Sequence, residues 1–264
     1  MIPKVIHYCW FGGSKKPELI KSCIDSWKKY CPDYEIKEWN EDNFDINMFK
    51  YTKQAYENKK WAFVTDVARL WIVYNFGGIY MDTDVELFSN LDNYLVYKGF
   101  YIYQNDFQLN TGNGFGSEKR DKIIEQMLKD YKGRQFVIND KFDMTPCPAV
   151  QMDSFFKVFP EFKDDGKSKE YEGYYFISCD EYKKNMKHYC TGTWVNGPKS
   201  SYQETVWKDS CLKKFLRKTS RRNFVKKTFG NKVYSLYIFI AYDFLEYDKK
   251  YLFKRMINKI RKIK

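Results

Sequence analysis

Two aspartates one residue apart, Asp82 and Asp84, lie in the stretch GGIYMDTDVE (77–86). In a strand, alternate side chains share a face, so both carboxylates are expected to point one way and Thr83 the other. Neighbouring carboxylates repel each other unless a cation lies between them. An oxygen-preferring divalent ion such as Mg²⁺ or Mn²⁺ is held by one or two carboxylates, with substrate phosphates completing its shell. A Ca²⁺ loop counted from Asp82 fails, because Leu87 falls where glycine is required and Asn93 where a bidentate glutamate is required. Asp-x-Asp alone is a weak signal, since a solvated strand end or turn carries the same triplet.

The residues just upstream sharpen it. Asp66 and Arg69 are three apart on the apolar run KKWAFVTDVARLWIVYNF (59–76), so on a helix they share one face. Charged groups on a buried helix are costly unless paired with each other or with a polar ligand. One reading is an internal salt bridge. The other is an Asp and an Arg reaching into a polar pocket to bind a sugar's hydroxyls, and the acidic pair that follows favours it.

These residues need a scaffold. PKVIHYCW (3–10), YEIKEW (34–39), IYMDTDVELF (79–88), GFYIYQN (99–105) and YYFISCDEY (174–182) read as strands. Helices are expected over 18–31, 59–76, 118–131 and 151–159, with Gly77-Gly78 as a helix stop. The glycine-rich 110–116, the proline-bearing 140–150 and KHYCTGTWVN (187–196) read as loops. This alternation predicts an α/β fold with a mostly parallel sheet and a ligand site at the strand C-terminal ends.

Composition narrows the class. The 264 residues suffice for one large domain with an extension, and aromatic residues make up 20% of them. Seven cysteines with no C-x-x-C pair argue against a zinc site or disulfide framework and for a reducing compartment. The opening MIPKVIHYCWFGG does not read as a signal peptide, and no apolar run is long enough to span a bilayer. The net charge of +12 is uneven: Leu212 to Lys264 carries 17 Lys/Arg against 3 Asp/Glu, and residues 1–211 are near neutral. A catalytic domain over 1–211 and a basic, mainly helical extension over 212–264 are therefore expected. Leu252, Met256, Ile260 and Ile263 would stripe one face of a cationic helix suited to an anionic membrane surface. A helix packed on the body with solvated lysines is the alternative. No nucleic-acid motif accompanies the charge.

The block D-V-A-R-L-x-x-x-Y-x-x-G-G-I-Y-x-D-T-D (66–84), with the opening IPKVIHYCWFGG, resembles glycosyltransferases of family 32. The resemblance covers most of residues 1–200 and implies a GT-A, Rossmann-like fold. It implies that Asp82 and Asp84 bind Mn²⁺ or Mg²⁺ on the diphosphate of a nucleotide sugar, and that Asp66 and Arg69 hold the donor sugar. His7, Trp10 and Gly12 match the segment under the nucleotide, where a ring can stack on the base. Their ordinary readings are a structural strand histidine and a core tryptophan. HYCTGTW (188–194) resembles the family's closing histidine and Ser/Thr-Trp pair, which makes His188 a third metal ligand and brings Thr193 and Trp194 to the diphosphate. Threonine stands here in place of the commoner serine, and either hydroxyl can donate. Thr83, and Asn113 in the glycine loop, are counted with the donor-binding residues, although such a loop also serves as an ordinary turn.

The expected activity is transfer from a nucleotide sugar, taken as UDP-linked, to a hydroxyl of a glycan or lipid-linked acceptor. Family members retain anomeric configuration. The resemblance also implies a capsular or surface-polysaccharide role in the cytoplasm, at the inner face of the cytoplasmic membrane. The alternatives are a toxin-like protein glycosyltransferase and a non-catalytic membrane- or polyanion-binding protein.

Overall fold

The structure is a computed structural model that describes residues 1–105, 108–162 and 165–191. In chain order its elements are β1 (Val5–Cys9), α1 (Glu18–Tyr30), β2 (Glu35–Trp39), α2 (Lys50–Glu57), α3 (Trp61–Phe76), β3 (Gly78–Tyr80) and β4 (Val85–Leu87). There follow β5 (Gly99–Asn105), β6 (Gln108–Leu109), β7 (Phe115–Ser117), α4 (Lys122–Lys132), β8 (Val137–Ile138) and β9 (Lys141–Phe142). The last are α5 (Cys147–Val158), β10 (Lys169–Tyr171), β11 (Tyr174–Ile177), α6 (Cys179–Asn185) and β12 (Met186–His188). All belong to one compact unit, Met1–Trp194. The division expected at 211 and the basic extension 212–264 lie outside the described residues.

The main sheet runs β10-β11-β5-β7-β3-β1-β2, with β6 added on β5. β1 pairs in parallel with β2 and β3, and β11 with β5, while β7 is antiparallel to both β3 and β5. β10 is antiparallel to β11, so five of the seven strands on this path point the same way. The expected mainly parallel α/β sheet is present.

Strand alternation divides the core into two layers. Ile6, Tyr8, Phe100 and Ile102 face a cluster containing Ile20, Ile24 and Trp27 of α1 and Tyr182 of α6. Cys9, Tyr101 and Tyr103 face the opposite cluster, built from α3, α4 and α5 through Val64, Leu70, Ile124, Met127 and Phe155. In α1 the apolar positions recur at helical spacing on one face, so that face is buried and the lysines stay outside. Trp27 is fully buried; such side chains each contribute roughly 1.5–3 kcal/mol on burial. Its indole N–H donates to the Val85 carbonyl at 2.7 Å, and the Leu87 N–H donates to Ser26 Oγ at 2.9 Å. Those two bonds fasten β4 to α1.

The structure departs from the sequence reading at five places. Asp82-Thr83-Asp84 is a turn between β3 and β4, closed by the Val85 N–H donating to the Asp82 carbonyl at 3.0 Å, rather than part of one strand. The glycine-rich stretch contains β7, whose Gly116 packs where a Cβ would meet Phe100 at 2.6 Å. Helix α5 begins at Cys147, inside the proline-bearing stretch, because a proline in the first helical turn removes no intrahelical bond. YYFISCDEY splits after β11 into α6, where Ser178 accepts the Glu181 N–H as N-cap. The supposed late loop then contributes β12, which pairs antiparallel with β4 and sets His188 opposite Val85.

His7 is a correction of a different kind. Its ring is 2% exposed. Nε2 donates to the Gly77 carbonyl at 2.9 Å, and Nδ1 accepts from the Trp39 indole at 3.1 Å. No ring nitrogen is left for a nucleotide. His7 instead ties β1 to β2 and to the α3–β3 junction. Gly78 lets the chains meet there: its φ is +94°, and a Cβ would sit 2.8 Å from the Val5 carbonyl. Burial, against the Gly77 hydrogen bond, lowers the His7 pKa from 6.5 to about 4.

His7 therefore stays neutral in the folded chain while the unfolded chain protonates it below pH 6.5. The stability linked to it is complete above pH 6.5 and is lost as pH falls towards 4, a change of roughly 3 kcal/mol. We expect His7→Asn to be destabilised at neutral pH and to lose that part of the slope in denaturant titrations between pH 7.5 and 4.5. Stability curves that run parallel for the two proteins would contradict this.

Candidate functional site

The site forms just beyond the C-terminal end of β3. β1 and β3 continue their pairing through the Met81 N–H, which donates to the His7 carbonyl at 3.1 Å. The next residue, Asp82, donates its N–H to the Gly112 carbonyl at 3.3 Å, and the chain then turns into β4. One oxygen each from Asp82 and Asp84 and one ring nitrogen of His188 all lie within 4.8 Å of one another. His188 Nε2 is 3.0 Å from Asp84 Oδ1, and its Nδ1 is 2.8 Å from Asn113 Oδ1. Asp84 Oδ2 accepts both the N–H and the hydroxyl of Thr191 at 2.9 Å.

On the other side, α3 presents Asp66 and Arg69 from one face. Arg69 Nη2 is 2.8 Å from Asp66 Oδ1 and 3.5 Å from Asp82 Oδ1. Its Nε donates to the Thr65 carbonyl, and the guanidinium lies 5.1 Å from the Tyr80 ring centroid. Tyr80 donates its hydroxyl to Asp82 Oδ1 at 2.9 Å. The salt bridge suggested by the sequence is present, and Arg69 Nη1 is buried with no hydrogen-bond partner among the described residues. Gly112 closes over that group: a Cβ there would lie 2.6 Å from Asp82 Oδ2 and 2.9 Å from Arg69 Nη1.

The electrostatics follow from this packing. Burial would raise the Asp84 pKa, but the hydrogen bonds from His188 and Thr191 hold it well below the usual carboxylate range. Burial would lower that of His188, yet its hydrogen bonds with Asp84 and Cys190 lift it to about 10. The imidazolium then donates to Asp84 and Asn113 at once. Asp82 is raised by burial and by Asp84, against Arg69 and His188. Burial raises Asp66 to about 6 despite the guanidinium beside it. Two carboxylates and an imidazole are suitable donors for a divalent cation, which would take the place of the Nε2 proton. The Asp82, Asp84 and His188 side chains are 25%, 10% and 16% exposed, so an ion can reach them.

A groove of about 770 Å³ opens past the ends of β1 and β2, lined by Trp10, Gly12, Lys16, Glu38, Tyr56 and Trp61 among others. That size falls within the ~300–1,000 Å³ of small-molecule sites. Trp10 is partly exposed there, with its indole N–H on the Ser14 carbonyl. Gly12 donates its N–H to Glu41 at 2.6 Å, and a Cβ on it would lie 2.7 Å from the Trp61 ring. Thr83 is half-buried in the turn. Asn113, expected among the donor-binding residues, is buried with its carbonyl oxygen on His188. Thr193 and Trp194 lie outside the described residues. Tyr80, Gly112 and Thr191 went unnoticed in the sequence. The alternation of Tyr80 with Asp82, a hydroxyl two positions before Thr193 and the glycine-rich loop around Asn113 were the available signals.

Residues 17–101 match the family model described as a glycosyltransferase sugar-binding region containing a DXD motif. The chain is 33% identical over 140 residues to inositol phosphoceramide mannosyltransferase 3 of Schizosaccharomyces pombe, covering 49% of this chain and 37% of that protein. It therefore spans little more than a third of that relative's length. Uncharacterized glycosyltransferase L373 of Acanthamoeba polyphaga mimivirus is 25% identical over 208 residues, 74% of this chain and 81% of that one. Among solved structures, the PaToxG glycosyltransferase aligns with a TM-score of 0.46 at 20% identity, over 60% of this chain and 70% of its own. The family match is confined to residues 17–101, and that stretch is similar to the DXD-containing sugar-binding region of glycosyltransferases.

Proposed function

We propose that this protein transfers a sugar from a nucleotide sugar to an acceptor hydroxyl with the help of a divalent cation, Mn²⁺ or Mg²⁺. One observation carries the reading: Asp82, Asp84 and His188 converge within 4.8 Å beside an arginine with one buried donor that has no partner among the described residues. An unsatisfied buried donor costs about 1–3 kcal/mol, which a sugar hydroxyl accepting from Arg69 Nη1 would recover.

Cleaving a nucleotide-sugar bond builds negative charge on the departing diphosphate and positive, oxocarbenium-like charge on the sugar. A divalent ion at the Asp82/Asp84/His188 site supplies Lewis-acid stabilisation of that leaving group. Asn113 keeps the imidazole turned so that Nε2 faces the carboxylates. Arg69 Nη1 donates to the donor sugar from a position already set by Asp66, Asp82 and the Thr65 carbonyl, so little reorganisation accompanies the reaction. Asp66, ionised at neutral pH, accepts from a sugar hydroxyl. The nucleotide lies in the groove under Trp10, where a base can stack. The acceptor hydroxyl attacks from the face the diphosphate leaves and passes its proton to the departing phosphate oxygen, giving retention; an inverted product in the NMR spectrum would reject that stereochemistry.

The UDP-linked donor, the polysaccharide role and the inner-membrane location rest on the family resemblance. The Schizosaccharomyces pombe relative is named for inositol phosphoceramide, which supports a membrane-borne acceptor. No described helix is long and apolar enough to cross a membrane. Docking of the basic 212–264 segment on anionic lipid would bring such an acceptor within reach.

The test is a panel of UDP- and GDP-sugars assayed for hydrolysis and transfer with Mn²⁺, with Mg²⁺ and with chelator. Failure of every donor with either ion rejects the reading. Asp84→Asn should cut turnover by about a hundredfold or more with an unchanged circular dichroism spectrum. Gly112→Ala must push Asp82 or Arg69 aside. It should cost about 1–3 kcal/mol of stability and lower turnover about tenfold, as read by thermal melts and initial rates; full activity in that variant would show that the loop does not approach the site as described.

A further inference from the structure

Helix α5 touches the site through the Cys147 thiol, which hydrogen-bonds with Asp66, and a second buried side chain on it reaches the loop that covers the site. Gln151 is fully buried. Its Nε2 donates to Thr111 Oγ1 at 2.7 Å, and its Oε1 accepts the Thr111 N–H at 3.4 Å. The helix behind it is held still, because Ser154 one turn later donates to Asp130 of α4 at 2.7 Å and Lys157 pairs with the same carboxylate.

Thr111 is itself buried, at the centre of a tight turn. Asn110 Oδ1 accepts the Gly112 N–H at 2.8 Å, and the Asn113 N–H donates to the Asn110 carbonyl at 3.2 Å. The residues on either side of the clamp are the ones that touch the site. Gly112 accepts the Asp82 N–H and packs against Asp82 and Arg69, and Asn113 holds His188. We infer that Gln151 is a positioning residue: by gripping both polar groups of Thr111 it sets how closely Gly112 approaches Asp82 and where Asn113 holds the His188 ring. The inference rests on reading Asp82, Asp84 and His188 as a divalent-cation site.

Burial explains why an amide stands here. Thr111 offers one donor in its N–H and one acceptor in its hydroxyl, and a glutamine side chain answers both at once. An apolar side chain of the same length would leave both bare in the interior, and the turn would have to shift to find other partners. Asn113 and Gly112 would move with it. Groups that orient a ligand to a metal change its affinity by about 10–100-fold when lost, and a residue acting through the next loop falls at the lower end.

The experiment is calorimetric titration of Mn²⁺ alone into the full-length protein, with thermal unfolding measured in parallel, for wild type, Gln151→Met, Thr111→Val and Thr111→Ser. Gln151→Met should bind Mn²⁺ about tenfold more weakly. Thr111→Val should weaken binding in the same direction, and Thr111→Ser, which keeps both contacts, should match wild type. The double variant Gln151→Met/Thr111→Val should lose no more than Gln151→Met, because both changes remove one shared contact. A merely structural role would lower the melting temperature and leave Mn²⁺ affinity of the folded protein unchanged, and that result overturns the inference. Should Gln151→Met not fold, Thr111→Val decides the matter in the same way. Wild-type protein that takes up no Mn²⁺ overturns the cation site beneath the inference instead.

Discussion

Two carboxylates brought side by side in a low-dielectric turn are the constraint around which this fold is arranged. Asp82 and Asp84 would repel one another, and burial adds to the difficulty of keeping both ionised. The structure answers with cationic groups on both sides. Arg69 approaches Asp82 from α3, and His188 approaches Asp84 from β12. Each of these cations is held by a second acid or amide, Asp66 for Arg69 and Asn113 for His188. Among the described residues Arg69 Nη1 has no partner, and the imidazole holds its Nε2 proton against Asp84.

The surrounding architecture keeps those groups from relaxing apart. β3 is short and enters the site from a buried helix through a glycine pair, and its pairing with β1 extends to Met81. β4 is fastened to α1 by the Trp27 and Ser26 bonds, so the outgoing end of the turn is as firmly placed as the incoming one. His7 locks the strand between them by using both ring nitrogens on β2 and on the α3–β3 junction. A residue that resembled part of a nucleotide site thus serves the rigidity on which the site depends. Packing on the opposite side, from α5 through Thr111, reaches the same groups through the 109–113 loop.

Much of the scaffold was legible because hydrophobic periodicity is a local property. The apolar stripe of α1, the all-round apolar α3 and the alternating strands declare themselves within a dozen residues. Some of the misread elements are those whose identity depends on a partner, while the start of α5 and the Ser178 cap of α6 are local signals. Phe115–Ser117 is a three-residue strand that exists because β3 and β5 flank it. Met186–His188 is a strand only beside β4. The Asp-Thr-Asp triplet looks extended in isolation and turns because its two flanks belong to different sheets.

For the site, the sequence alone determined which chemistry was available: an acid pair, an Asp and Arg one helical turn apart, and one late histidine are composition and spacing, and these survive in any fold that keeps α3 and β3 adjacent. Only the tertiary structure decided that His188, more than a hundred residues away in the chain, closes on Asp84, that His7 turns inward while Trp10 faces the groove, and that Tyr80, Gly112, Thr191 and Gln151 belong to the assembly. The physical reason is range. Propensity and periodicity act over a few residues, whereas the pairing of a charge or the filling of the space above a glycine is settled by whichever distant segment the core brings into contact.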